Sequence, residues 1–157
     1  MTSDESDRFA MHASAGARIE LIAESFARFF GRPLIESAPR GLEQAMWEAP
    51  RAIVAHGTEL EPLFFYGNRL ALDLFDLRAE AFIGMASYSS AEPSERKERA
   101  RMLEGLRLRG FLGDYSGVRV TASGERFAIA NTQVWNLVDA HGGHHGQAAT
   151  FAEWRFL

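Results

Sequence analysis

Histidine supplies most of the reactive chemistry in this sequence. His141, His144 and His145 lie within five residues near the C-terminus, and imidazole is a ligand for zinc, copper or nickel. Gly142 and Gly143 separate the first from the other two, and adjacent residues of a strand point to opposite faces. The group therefore reads as the polar tip of a hairpin, not as a metal centre. His56 closes the apolar run Ala52-Ile-Val-Ala-His56, where it is either a core histidine bonded to backbone or a lining of a pocket. Tyr66, Asn68, Trp135 and Gln147 are the other candidates. Tyr66 is a core ring with an anchored hydroxyl or part of a cavity wall, and Asn68 is a helix cap or a cavity border. Trp135 offers an aromatic wall and Gln147 an amide able to read a ligand.

Several chemistries lack their residues altogether. With no cysteine among 157 residues there is no disulfide, no thiolate nucleophile and no Cys-type zinc site. Asp114-Tyr115-Ser116 has the letters of a nucleophile and an acid, but the Gly-x-Ser-x-Gly elbow is missing. Gly142-Gly143 is a turn with no helix after it to cradle phosphate. The acidic residues are scattered without a spacing that pairs them, and Arg96, Lys97, Arg99 and Arg101 read as the solvated face of a helix. Seventeen basic against 21 acidic residues give a charge of −4 with no basic stripe, which argues against nucleic acid. No apolar run approaches the roughly 18 residues of a membrane span, and the acidic start lacks the features of a secretory leader. The expected compartment is the cytoplasm.

These candidates must be positioned by the elements around them. Residues 1–14 read as a frayed tail and 15–157 as a single domain. Ile19, Ile22, Phe26, Phe29 and Phe30 recur at helical spacing over 15–30, and Gly31 and Pro33 end that helix. A short helix over 42–47 follows. Strands are expected at 52–56 and 63–66, then helices opened by Asn68, over 78–83 and over 90–110, the last with Pro93 in its first turn and a Glu95/Arg99 pair on its wet face. Leu103 and Leu106 mark the buried side of that long helix. Three strands joined by tight turns complete the chain at 115–121, 126–138 and 144–151. Phe127, Ile129, Trp135 and Leu137 are expected on one face of the long strand, with Ala128, Ala130, Val134 and Val138 on the other. Both faces of the sheet thus need a cover. The Ile19/Ile22/Phe26/Phe29 stripe is expected to pack on a floor of Ala128, Ala130 and Val134, or on a second subunit.

This element order resembles that of PAS domains, and the run Phe64-Phe-Tyr-Gly-Asn68-Arg69 resembles the PAS segment in which Asn opens the helix after strand two. More specifically, the chain resembles the PAS-related MEKHLA domain family, in particular its bacterial stand-alone members. The resemblance rests on Ser90-Ala-Glu-Pro93, on Gly110 to Arg119 with its string Asp-Tyr-Ser-Gly-Val-Arg, on Val134 to Asp139, and on His145-Gly-Gln-Ala-Ala-Thr-Phe151. It implies an α+β fold, a five-stranded antiparallel sheet with helices on one face plus an N-terminal helix. It also implies that Tyr66 and Asn68 border the cavity between sheet and helices. The cysteine that photoactive flavin domains need for their adduct is absent, as is the long-helix histidine common in haem-binding members, so the resemblance argues against both cofactors. In plant homeodomain–leucine-zipper regulators the family implies control of dimerisation.

The favoured reading is a PAS-like sensory or ligand-binding module for a small molecule, with His56, Tyr66, Asn68, Trp135 and Gln147 as the ligand-binding set and a homodimer or partner protein receiving the signal. The alternatives are an interaction module with a solid core and a small enzyme using the same cavity.

Overall fold

The Thr2 hydroxyl accepts a hydrogen bond from the Glu5 N–H, and the Glu5 carboxylate accepts one from the Thr2 N–H. This reciprocal cap opens helix α1 (Ser3–Ala15) in the computed structural model, which describes residues 2–90 and 96–157. A helix thus stands where a frayed tail is expected from the sequence. Few of its positions are apolar, so hydrophobic spacing does not announce it. It is held instead by residues distant in sequence. Arg8 forks onto Glu43 at 2.9 Å, Arg69 onto Asp4 at 2.7 Å and Arg78 onto Asp7 at 3.0 Å, while Met11 and Ala15 are buried. Gly16, at a φ of 55°, breaks the chain before α2 (Arg18–Phe30). Gly31 ends α2 in the left-handed conformation, as its place after the apolar stripe predicts.

After α3 (Leu42–Trp47) come β1 (Ala52–His56) and β2 (Phe64–Gly67). Helices α4 (Arg69–Phe75) and α5 (Ala79–Phe82), a 3-10 turn at Ser87–Ser90 and α6 (Arg96–Arg109) cross to β3 (Phe111–Val120), β4 (Arg126–Val138), β5 (His144–Phe151) and β6 (Glu153–Phe156). Pro93 and Glu95, expected in the first turn of the long helix, lie outside the described residues. The sheet is antiparallel in the order β2-β1-β5-β4-β3, with β6 beside β4. It contains the five expected strands. The sixth, in Glu153-Trp-Arg-Phe156, has the alternation of a strand, but it is too short to stand out in the sequence. Among the described residues no helix is long and apolar enough to cross a membrane.

The inner face of the sheet carries α4, α5 and α6. Phe75 meets Phe127 edge-on at 5.4 Å, and Phe64 stacks on Phe82 at 4.4 Å. The outer face carries α2. There Trp135 packs against Phe26 at 4.9 Å and donates from Nε1 to the Ile22 carbonyl, and the Ser25 hydroxyl both donates to the Val138 carbonyl and accepts from its N–H. The faces of β4 therefore differ from simple alternation. Phe127 and Ile129 point inward, but Asn131 has a φ of 51°, and the β3–β4 register shifts beside it. Beyond this bulge the parity inverts, so Val134 lines the inner face while Trp135 faces α2. The floor for α2 is the Trp135 side of the strand, not Ala128, Ala130 and Val134. Ala128 and Ala130 instead pair with Arg155 and Glu153 of β6.

Candidate functional site: a cavity beneath the long helix

A cavity of about 220 Å³ remains between the inner face and α6. Its origin is visible across the ladder. Val54, Ala149 and Val134 sit side by side on β1, β5 and β4, and the small central residue leaves space that two valines do not fill. Phe64, Phe75, Ile129 and Phe151 complete the apolar walls, and Met102 and Leu103 of α6 form the roof. Met102 and Leu106 are the buried residues of α6. Leu103, expected on its buried side, is 45% exposed and stands at the rim.

Polar groups enter this apolar space from three directions. His56 and Gln147 face each other across the β1–β5 ladder. The His56 Nδ1 lies 3.1 Å from the Gly57 carbonyl, which can only accept, so Nδ1 carries the proton and a neutral ring keeps Nε2 as an acceptor. Burial pushes the His56 pKa below its usual value, hydrogen bonds to Gly57 and Gln147 oppose that shift, and the Arg119 charge adds to it. Arg119 enters from β3. It is partly buried, its pKa is lowered by desolvation, and it makes no hydrogen bond or ion pair with a described residue. Arg99 reaches the cavity from α6, and the Ser87–Ser90 turn lines another side, with the Ser90 hydroxyl donating to the Ser87 carbonyl.

Backbone conformation helps to hold the His56–Gln147 edge. Gly146, at a φ of 135°, lies so close to the His56 carbonyl that a Cβ would collide with it. Only glycine combines this conformation with that approach. The Gly-Gln pair of the string His145-Gly-Gln-Ala-Ala thus has a physical reading, with glycine admitting β1 and glutamine facing the cavity.

Of the five residues expected to bind a ligand, the structure brings His56 and Gln147 to the cavity. Tyr66, Asn68 and Trp135 lie elsewhere. Asn68 caps α4 as expected, but its amide is also spent inside the fold. Oδ1 accepts from the N–H groups of Ile53 and Ala71, and Nδ2 donates to the carbonyls of Met46 and Arg51. Tyr66 pairs with Ala55, which pairs with Ala148 and so with Trp135, placing both aromatic rings on the outer face. The Tyr66 hydroxyl is buried without a hydrogen-bond partner among the described residues, and burial raises its pKa. At the β4–β5 turn, His145 Nε2 lies 2.7 Å from the Asp139 carboxylate, which also accepts from the His141 and Gly143 N–H groups. These bonds hold Asp139 down at about 2. Among the described residues no group of three His, Cys, Asp or Glu is placed to hold a metal.

Sequence reasoning misses Arg119. It ends the Asp-Tyr-Ser-Gly-Val-Arg string and stands between Val118 and Val120. A cation between two valines in a strand of a sheet covered on both faces is the signal that could have found it.

The fold is shared with solved structures. A PAS domain from Colwellia psychrerythraea superposes with a TM-score of 0.59 at 13% identity, covering 73% of this chain and 92% of that one. A light-oxygen-voltage domain studied with a flavin analogue gives 0.60 at 16% identity over 74% of this chain and 84% of that one. At these identities the likeness establishes the PAS-like fold alone. In sequence, the chain is 26% identical over 142 residues to the homeobox-leucine zipper protein HOX29 of rice (Oryza sativa subsp. indica), covering 87% of this chain but 16% of that protein's length. The model of the MEKHLA domain matches residues 17–156, and the chain accordingly belongs to the MEKHLA domain family.

Proposed function

We propose that this domain is a regulatory sensor that binds a small molecule in the cavity beneath α6 and passes its occupancy to a partner protein or a second copy. The observation that carries the reading is the mixture of surfaces lining one cavity. Apolar walls with a few convergent polar groups are the usual composition of a ligand site. A core that exists only to be solid has no reason to leave His56, Gln147 and Arg119 facing the same void. The volume is below the roughly 300–1,000 Å³ common for drug-sized ligands, which favours a small metabolite. The roof belongs to α6, so filling the cavity bears directly on the position of that helix. The rice relative is a homeobox-leucine zipper protein, which supports a regulatory setting.

Amide shift mapping by NMR with a fragment set of mixed charge tests this reading. Shifts are expected to concentrate on β1, β5 and α6, and to vanish in Ala149→Phe, which fills the centre of the cavity. Shifts that gather instead on the α1–α3 surface, or survive the filling substitution, would refute the cavity as the binding site. Native mass spectrometry of the same samples reads oligomeric state with and without fragment.

A further inference from the structure

We infer that the ligand is a small organic acid whose carboxylate pairs with Arg119 and whose apolar body lies against Phe64, Val134 and Phe151. The inference rests on the proposed cavity reading and adds the chemical class of the ligand.

Its basis is the contrast between Arg119 and the other partly covered arginines of the molecule. Arg8 forks onto Glu43, Arg69 forks onto Asp4, and Arg51 donates to the Thr150 hydroxyl and Gln133 amide oxygen at 2.6 and 2.7 Å. Arg119 has no such acceptor among the described residues, although its guanidinium carries five N–H donors that lose water on burial. Desolvation without a partner lowers its pKa. The Tyr115 side chain favours its charge, the Arg99 guanidinium opposes it, and no Asp or Glu is among the described residues lining the cavity. Two guanidinium groups and a neutral histidine facing an apolar void leave a positive potential that no described lining residue answers. A planar carboxylate matches the guanidinium fork with two parallel hydrogen bonds. The void offers an apolar body more surface than a free phosphate could use.

The test compares benzoate, phenylacetate and hexanoate with their neutral carboxamides, and with inorganic phosphate, by thermal shift and calorimetry. Wild-type protein, Arg119→Met and Arg119→Lys are measured in parallel. At least one acid is expected to raise the melting temperature and to bind about tenfold or more tightly than its amide, the difference a charge-assisted hydrogen bond supplies. Phosphate alone should do neither. Arg119→Met should abolish the preference for the acid, and its ligand-free melting temperature should equal or exceed that of wild type, because an unanswered cation has been removed. Arg119→Lys should keep part of the preference. Equal binding of acids and amides overturns the inference while leaving the cavity reading intact. Failure of all three acids, together with loss of the NMR shifts on β1, β5 and α6, removes both. A ligand-free Arg119→Met that is markedly less stable, or that does not fold, assigns Arg119 a structural role and also overturns the inference; Arg119→Gln then gives the same decision by calorimetry.

Discussion

The two faces of the sheet are built to different standards. On the outer face Trp135 is fully buried, packed edge-on against Phe26 and Phe30 and bonded to the Ile22 carbonyl, while Ser25 answers both polar groups of Val138. On the inner face a void remains, and Arg119 projects into it without an acceptor among the described residues. Close packing and satisfied polar groups are what stability selects. The outer face meets both conditions around Trp135, although the Tyr66 hydroxyl on that face is unpaired among the described residues, and the inner face departs from both at the void. A departure of that kind marks where a fold has been shaped by something other than its own stability.

The contrast can be broken from the outer side first. Deleting residues 2–31 strips α1 and α2 from the sheet, and the expected result is an aggregated or unfolded protein, read by solubility and circular dichroism. Deleting only 2–15 removes the buried Met11 together with the Arg8, Asp4 and Asp7 ion pairs, and should lower stability in urea by about 2–5 kcal/mol. That exceeds the negligible effect expected if these residues were a frayed tail. Trp135→Ala should cost about 3–5 kcal/mol by leaving a cavity under α2. If Arg119→Met proves as destabilising as Trp135→Ala, the two faces are alike and the comparison fails.

Asn68→Ala comes next, at about 3 kcal/mol in the same measurement, because four buried backbone groups lose their partner together. Asn68→Asp keeps the two acceptor bonds and loses the donors to Met46 and Arg51, so it should fall short of full stability as well.

The inner face should show itself through pH. The folded pKa of His56 lies below its ordinary 6.5, so the unfolded chain takes up the proton first. His56 therefore leaves stability intact above pH 6.5 and reduces it as the pH falls from there through the folded value. The groups that bear on it are Gly57, Gln147, Glu59 and Arg119. His56→Gln should flatten that part of the stability profile. The smallest effect belongs to the β4–β5 turn. Asp139 is held at about 2 against an ordinary 3.8, so its contribution is present above pH 3.8 and disappears as the pH falls toward 2. Asp139→Asn should erase that acid-side slope and lower the midpoint of unfolding at pH 7 slightly, because the exposed pair is screened by solvent.

Much of the fold is legible in residue spacing, and the reasons are local. The ranges of β1 and β4 follow from stretches with β-branched residues set off by turns, the start of β5 follows from the Gly142-Gly143 turn, and the end of α2 follows from Gly31. Helix α1 escapes because the acidic residues that pair with arginines far along the chain look like a solvated tail when met in order. The candidate site is only half legible. His56 and Gln147 reach the cavity because strand alternation is sound over short runs. Trp135 does not, because alternation cannot be carried past a residue whose conformation is invisible in its letter. Tyr66 is assigned to the cavity from the resemblance, whereas the ladder puts it opposite Ala55 on the other face. Arg119 escapes because a lone arginine reads as surface until its missing partner can be seen.

The left-handed residue in β4 has a consequence for how the sequence can change. Asn131 acts as a phase slip, letting the strand keep Ile129 and Val134 on the cavity side while Trp135 turns to α2. An insertion or deletion of a single residue between Ile129 and Val134 would reverse that division and turn Trp135 into the void, leaving Val134 under α2. Point substitutions along this stretch can be absorbed one side chain at a time, whereas a change in length cannot. Spacing from Ile129 to Val134 is therefore the quantity this strand must conserve, even where the residues between touch nothing bound in the cavity.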